Sequence, residues 1–284
     1  MSRLNLANPR VRRALQAVAL GLGIAFAILS IHTGLIWTDG QVYWDAGERV
    51  RTGGDLYPSG VDPETAFKYA PWFAWVWAGL TVFPEVAVAV AWTAAMIGAW
   101  VFPVVAYLHA GWGERALVFL AGPPLLIAAL GGNVQPAVVA LLFFGVERRW
   151  GPAAIAVAAS LKLFPVLFVA VYIGRGQWIR AASAVVLAGA LWLPALVFGL
   201  DAFPSDIGGA FSLLEVAPVA YAAGVVLTLL WAIRTADWAA GSVSVLVASS
   251  VRFIPYQLGY LLCSAPRPAP RGSASGSSTE ASTG

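Results

Sequence analysis

The chain has 284 residues, of which 60% are hydrophobic and only 11% charged, and a formal net charge of +3. Its mean hydropathy is +0.77. A soluble domain carries about 25% charged residues, so too few charges remain here to coat a surface facing water; the composition excludes a water-soluble domain and predicts a polytopic protein whose main partner is the lipid bilayer. The basic balance is a small arginine excess in short loops rather than a stripe, which argues against nucleic acid as a partner. One cysteine, Cys263, excludes an intrachain disulfide and a cysteine metal cluster.

Residues 1–13 read as a basic cytoplasmic N-terminus, because Ser2 to Arg13 holds four arginines and no acid. The apolar run from Ala14 to Trp37 follows at once and is long enough to cross a core roughly 30 Å thick. It ends in "IHTGLIWTDG", which offers no small-residue cleavage site, so a retained first helix is expected rather than a signal peptide. The arginines put the N-terminus in the cytoplasm and Asp39 outside.

The first outer loop, 38–69, comes next. Val42, Tyr43, Ala46 and Val50 recur at helical spacing with Glu48, Arg49 and Arg51 on other faces, which predicts a short amphipathic helix on the membrane surface. Gly53 and Gly54 should stop it. Asp39 has a plain reading as part of a helix start, since Thr38 and Gln41 match a capping box and an acid in the first turn suits the helix dipole. A cap does not account for Tyr43, Tyr57, Lys68 and Tyr69 gathering in the same loop. An acid at the mouth of a hydrophobic protein, backed by aromatic and basic residues, suits a catalytic base acting on a lipid-linked substrate.

Apolar segments follow at about 70–83, 86–109, 116–130, 134–146, 152–173, 181–199, 215–233 and 240–262. Several are shorter than the ~20 residues of a straight span, and Pro71, Pro84, Pro136, Pro165 and Pro255 punctuate them. Broken or re-entrant helices around a cavity are expected, because irregular backbone at membrane depth must be buried or wetted. "ERRWG" (Glu147 to Gly151) and "GRGQWIR" (Gly174 to Arg180) both read as cytoplasmic, yet they flank one apolar stretch. "SLKLFP" (Ser160 to Pro165) breaks that stretch midway, and a hairpin of two half-helices resolves the conflict. Arg252 and Pro255 likewise interrupt the last segment. The fold expected for 14–264 is an all-α bundle of about eight to ten transmembrane or re-entrant helices. Residues 265–284, rich in Pro, Ser, Gly and Ala, have nothing to bury and read as a disordered tail. No repeat of fixed period is visible, which weakens a transporter built from duplicated halves.

"TDGQVYWDAGERVRTGGDLYP" and "FKYAPWFAWVWAGL" resemble the first outer loop and second membrane segment of glycosyltransferase family 87, polytopic GT-C enzymes. Asp39, Tyr43, Gly54, Leu56, Tyr57, Tyr69 and Pro71 occupy the positions of the family pattern. "GGNVQPAVVALLFFGVERRW" resembles its "GN" segment through Gly132, Asn133 and Gln135, and "AASLKLFPVLFVAVYIGRGQW" its "K-x-x-P" segment through Lys162 and Pro165. The three blocks stand in the family's order and cover about half of the chain.

The resemblance implies a GT-C-like fold with a catalytic first outer loop, in the plasma membrane of a bacterium. It implies a polyprenyl-phosphate-linked sugar donor, most often mannose, and a glycolipid or polysaccharide acceptor outside the cell. One carboxylate, Asp39, would take the acceptor proton. The leaving phosphate needs cations, for which Lys68, Lys162 and Arg252 are candidates, an ionisable group in an apolar segment being costly and usually functional. Snorkelling toward an interface is the plain alternative for Lys162. Tyr43, Tyr57 and Tyr69 would line the sugar or polyprenyl groove, and Asn133 and Gln135 would orient a phosphate or hydroxyl or else satisfy backbone groups at a bend. Asp45 ranks below Asp39 as a supporting acid. No metal and no cofactor is expected, since His32 and His109 form no cluster. A transporter or flippase, or a non-catalytic binder of polyprenol-linked sugars, would use the same cations and aromatics without a base.

Overall fold

The computed structural model describes residues 37–58, 60–62, 65–108, 112–198 and 212–264. The predicted basic N-terminus, most of the first helix, both histidines and the tail lie outside them. Among the described residues the chain is all-helical with no strand.

Helix α1, Thr38–Thr52, is the predicted loop helix. It stops at Gly53, whose φ of 76° is left-handed, and the Gly53 and Gly54 N–H groups turn back to the Val50 and Arg49 carbonyls. Its apolar side does not lie on lipid as expected. Helix α2, Pro71–Leu80, covers it: a Cβ at Gly47 would sit 2.6 Å from the Trp77 backbone, so only glycine admits this approach. With ten residues α2 is about 15 Å long, half a membrane span.

Helices α3 (Glu85–Leu108) and α4 (Trp112–Leu130) follow, joined by a bond from Trp100 Nε1 to the Gly122 carbonyl at 2.8 Å. A glycine turn at 131–132 leads into α5 (Gln135–Gly145). Next come α6 (Gly151–Leu161), a 3₁₀ turn at Phe164–Phe168, and α7 (Val169–Gly174). The remainder is α8 (Trp178–Trp192), α9 (Ala195–Phe198), α10 (Leu213–Val216), α11 (Pro218–Thr235) and α12 (Trp238–Ser249). Two 3₁₀ segments, Ser250–Arg252 and Pro255–Ser264, close the described chain.

Three stretches are long and apolar enough to cross a membrane: Glu85–Tyr107, Trp178–Phe198 and Pro218–Thr235. All three carry large apolar side chains that are exposed, among them Val86, Phe102, Ile179, Val197, Val219 and Leu227. Surfaces of this kind fit hydrocarbon rather than water. Four further apolar helices, Arg115–Leu130, Gln135–Gly145, Gly151–Leu161 and Phe164–Gly174, are each shorter than a span. The tally of eight to ten segments is thus met only in kind, as a helical membrane protein that mixes full spans with half-helices.

The stretch predicted to double back does so. Lys162 is extended (φ −146°, ψ 98°), which ends α6, and Pro165 starts the 3₁₀ turn. The two open ends lie side by side. Tyr172 at the end of the hairpin donates to the Val146 carbonyl just before its start at 2.6 Å, and Arg175 grips Glu147 through both carboxylate oxygens at 2.9 and 3.0 Å. Trp238 Nε1 also donates to Glu147, while Arg180 donates to Val146 O and Arg148 O. With eleven residues, α6 is about 16 Å long, about half of what a membrane span needs.

Candidate functional site

Helix starts leave N–H groups without partners, and α1 satisfies its own in an unusual way. Trp37, Asp39 and Gly40 donate their backbone N–H groups to the Leu130 and Gly131 carbonyls at 3.0–3.2 Å. Trp37, at the N-cap, has no side-chain cap bond, and Gln41 uses its amide on Asp45 at 2.9 Å. The capping box expected from Thr38 and Gln41 is therefore not formed, because backbone carbonyls from the turn after α4 do that work. Asp39 keeps its first-turn position. Among the described residues its half-buried carboxylate accepts no hydrogen bond and enters no ion pair, so it is not spent on the fold.

Tyr43 stands one turn after Asp39, on the same face, and is fully buried. Its hydroxyl accepts the Val134 N–H at 3.2 Å and shares a 2.9 Å bond with the Tyr69 hydroxyl; the two rings meet edge to face at 5.0 Å. The Lys162 ammonium donates to the Tyr69 hydroxyl at 3.1 Å. Tyr57 donates to the Tyr69 carbonyl at 2.8 Å, which fixes the loop just before α2. Ala70 N–H and Trp72 Nε1 both bond to Ser160, on the last turn of α6, at 3.2 and 3.1 Å. The loop between α1 and α2 is thereby fastened to the hairpin tip from both sides of Tyr69.

The electrostatics join the same groups. Burial pushes the Tyr43 phenol well above its ordinary range and the Asp39 charge pushes it further, against the bonds from Tyr69 and Val134. Burial does the same at Tyr69, where the Lys162 charge opposes it and the Asp39 charge adds to it. Both phenols are thus held neutral, able to donate as well as accept. Lys162 spends one of its three N–H donors on Tyr69. An unspent carboxylate and an ammonium with two unspent donors flank a pair of hydrogen-bonded phenols.

The other expected residues divide. Asn133 and Gln135 are fully buried at the start of α5. Asn133 Oδ1 accepts the Gln135 N–H at 2.8 Å, the local backbone role foreseen as their alternative, and Gln135 Oε1 lies 3.5 Å from the Tyr260 hydroxyl. Both side-chain NH₂ groups lack partners among the described residues. Lys68 is half-buried one residue before Tyr69. Arg252 is half-buried in the 3₁₀ turn before Pro255, and its carbonyl accepts from Gln257 at 2.9 Å.

Sequence reasoning passed over Tyr256, and named Gly132 only within the "GN" resemblance and not for its backbone. The Lys162 ammonium lies 5.0 Å from the Tyr69 ring centroid and 5.4 Å from that of Tyr256. The signal was the interruption "VRFIPYQ", which breaks its apolar segment just as "SLKLFP" does. Gly132 adopts a left-handed φ of 74°, its Cβ position 3.0 Å from the Gly40 nitrogen. No three His, Cys, Asp or Glu side chains among the described residues are grouped to hold a metal ion.

The fold and this site together define a helical membrane protein with a polar cluster at the tip of a helical hairpin. In comparisons with known protein families, with curated proteins and with solved structures, the chain matches none.

Proposed function

We propose that the chain is a membrane glycosyltransferase that moves a hexose, mannose in the first instance, from a polyprenyl-phosphate donor to an acceptor hydroxyl outside the plasma membrane of a bacterium. The observation that carries this is the gathering of Asp39, Tyr43, Tyr69 and Lys162, from the outer loop and the hairpin, into one electrostatic cluster. An unspent acid and an unspent cation are what the two ends of this reaction require. The resemblance to glycosyltransferase family 87 supports the same reading, along with a GT-C-like bundle of eight to ten segments.

In the proposed step the acceptor oxygen attacks the anomeric carbon while Asp39 takes its proton. The bond from that carbon to the phosphate oxygen breaks, and its electron pair leaves with the phosphate, inverting the configuration. Lys162 stabilises the charge that builds there, an interaction stronger at mid-depth than in water. Tyr57 and Tyr69 line the sugar side, and Asn133 and Gln135 supply amide donors. The acceptor is a glycolipid or a polysaccharide.

General-base catalysis contributes ~10²–10⁴-fold. Asp39→Asn should lose transfer from radiolabelled polyprenyl-phosphate-mannose by that factor, at equal expression and with the donor still bound. Equal transfer by both proteins would remove Asp39 as the base. The re-entrant hairpin, broken at mid-depth, also suits a transporter of polyprenol-linked sugars. On that reading Asp39→Asn leaves donor movement across the membrane intact, and the wild type transfers no sugar.

A further inference from the structure

An ammonium withdrawn from water needs a counter-charge or an equivalent, yet Lys162 makes no ion pair among the described residues. What surrounds it is aromatic. Tyr69 approaches from the end of the outer loop, with its hydroxyl at 3.1 Å and its ring centroid at 5.0 Å, and Tyr256 from the Pro255–Ser264 segment, with its ring centroid at 5.4 Å. Tyr69 holds the ammonium through its hydroxyl, while the Tyr256 ring lies within the ~6 Å at which a cation gains from an aromatic ring, an effect largest where water is excluded. The two rings come from chain segments almost two hundred residues apart, and the Lys side chain rises between them from the hairpin turn.

Tyr69 is held firmly by its bonds to Tyr43, Lys162 and Tyr57. The turn bearing Tyr256 is built just as deliberately. Gln257 accepts the Ile254 N–H at 3.1 Å and donates to the Arg252 carbonyl at 2.9 Å, closing a loop around Pro255. Beyond it, Gly259 packs so closely on Leu125 that a Cβ there would lie 3.0 Å from the leucine side chain.

We propose that Tyr256 is a positioning residue for Lys162, its ring and the Tyr69 hydroxyl forming a two-sided cage that holds the ammonium in place for the phosphate of a lipid-linked donor. The role rests on the glycosyl-transfer reading for its ligand, but the cage itself does not. A side chain with four rotatable bonds would otherwise sweep toward either interface. Held between the Tyr69 hydroxyl and the Tyr256 ring it keeps its charge without spending its two remaining N–H donors on a carboxylate. An aspartate or glutamate in the place of Tyr256 would also pin the lysine, but would neutralise the charge that a phosphate must meet.

Lys68 and Lys162 are the only lysines in the chain, which gives a readout independent of catalysis. Detergent-solubilised wild type, Tyr256→Leu and Tyr256→Phe are treated with a small amine-reactive acylating reagent. Modification of Lys162 is measured by mass spectrometry relative to Lys68, after size-exclusion chromatography has confirmed equal folding. Binding of decaprenyl phosphate is measured on the same samples. Tyr256→Leu should raise relative labelling of Lys162 several-fold and weaken decaprenyl phosphate binding about tenfold. Tyr256→Phe, which keeps the ring, should restore both to within about twofold of wild type. Unchanged Lys162 labelling in a folded Tyr256→Leu protein overturns the proposal. So does failure of Tyr256→Phe to rescue it. If labelling changes as expected but wild type binds no decaprenyl phosphate, the cage is supported and the donor reading fails alone.

Discussion

Gly132 shows how narrowly the site is made. Its left-handed φ and the approach of Gly40 to within 3.0 Å of its missing Cβ both require glycine, and Gly40 is itself packed under the Trp37 ring. A residue other than glycine in that conformation costs about 1–2 kcal/mol. Gly132→Ala should lower stability by at least that amount. Because the same turn accepts the Asp39 N–H, it should also displace the carboxylate and, on the proposed function, cut transfer at least tenfold. Thermal denaturation and transfer assays on one preparation test both effects. The tyrosines carry a second residue-scale prediction. An exposed phenol ionises near pH 10, while burial raises Tyr43, Tyr57 and Tyr69 above that value. The unfolded chain therefore loses these protons first as pH rises. Their contribution is fully present below about pH 10 and falls away above it. Stability should be flat from neutral pH to about 9 and decline beyond 10, with tyrosinate absorbance showing a fraction of the phenols titrating only as the protein unfolds.

At the scale of elements, the hairpin was the most legible feature and α1 the least. Two arginine-bearing loops on one side and a Lys-x-x-Pro break between them left the chain only one simple path, and the side-by-side ends of the hairpin are that path. The predicted breaks at Gly53, Lys162 and Pro255 fall where helices stop, because glycine and proline act on their own backbone and need no tertiary context. What α1 packs against could not be read, since an amphipathic pattern gives a face and not its partner; α2 covers that face where lipid was expected. Tyr256 was missed for a like reason, its place beside Lys162 being set by pairing distant segments. The hairpin base gives a test. Glu147 ties Arg175 and Trp238, and so joins the start of the hairpin to its end and to α12. Glu147→Gln keeps the shape but removes the charge, and a partly exposed pair of this kind contributes about 1 kcal/mol. A melting-temperature drop of a few degrees, shrinking in high salt, is the expected result, and no change at low salt would show that the hairpin base does not depend on the pair.

For the whole molecule, the proposed extracytoplasmic site implies an orientation that can be tested without any assay of function. Cys263 is buried and is the chain's sole cysteine, so Cys263→Ser provides a cysteine-free background. Asp55 and Arg149 are both exposed, one in the loop after α1 and the other at the hairpin base. In intact cells a membrane-impermeant maleimide should label Asp55→Cys, and should label Arg149→Cys only after the membrane is opened. Labelling of both in intact cells would reject the orientation, and with it an extracytoplasmic site.

The shared bond between Tyr43 and Tyr69 has a consequence for the timing of any reaction beside it. Two hydroxyl hydrogens serve a single 2.9 Å contact, and the oxygens already receive Val134 N–H at one end and Lys162 at the other. One hydrogen is always left over. If Tyr69 donates, the surplus belongs to Tyr43, a turn from Asp39; if Tyr43 donates, it belongs to Tyr69, beside Lys162. Exchanging the two arrangements carries a donor from the acid end of the cluster to the cationic end while every heavy atom stays still, so the cluster can face two successive partners with one set of side chains.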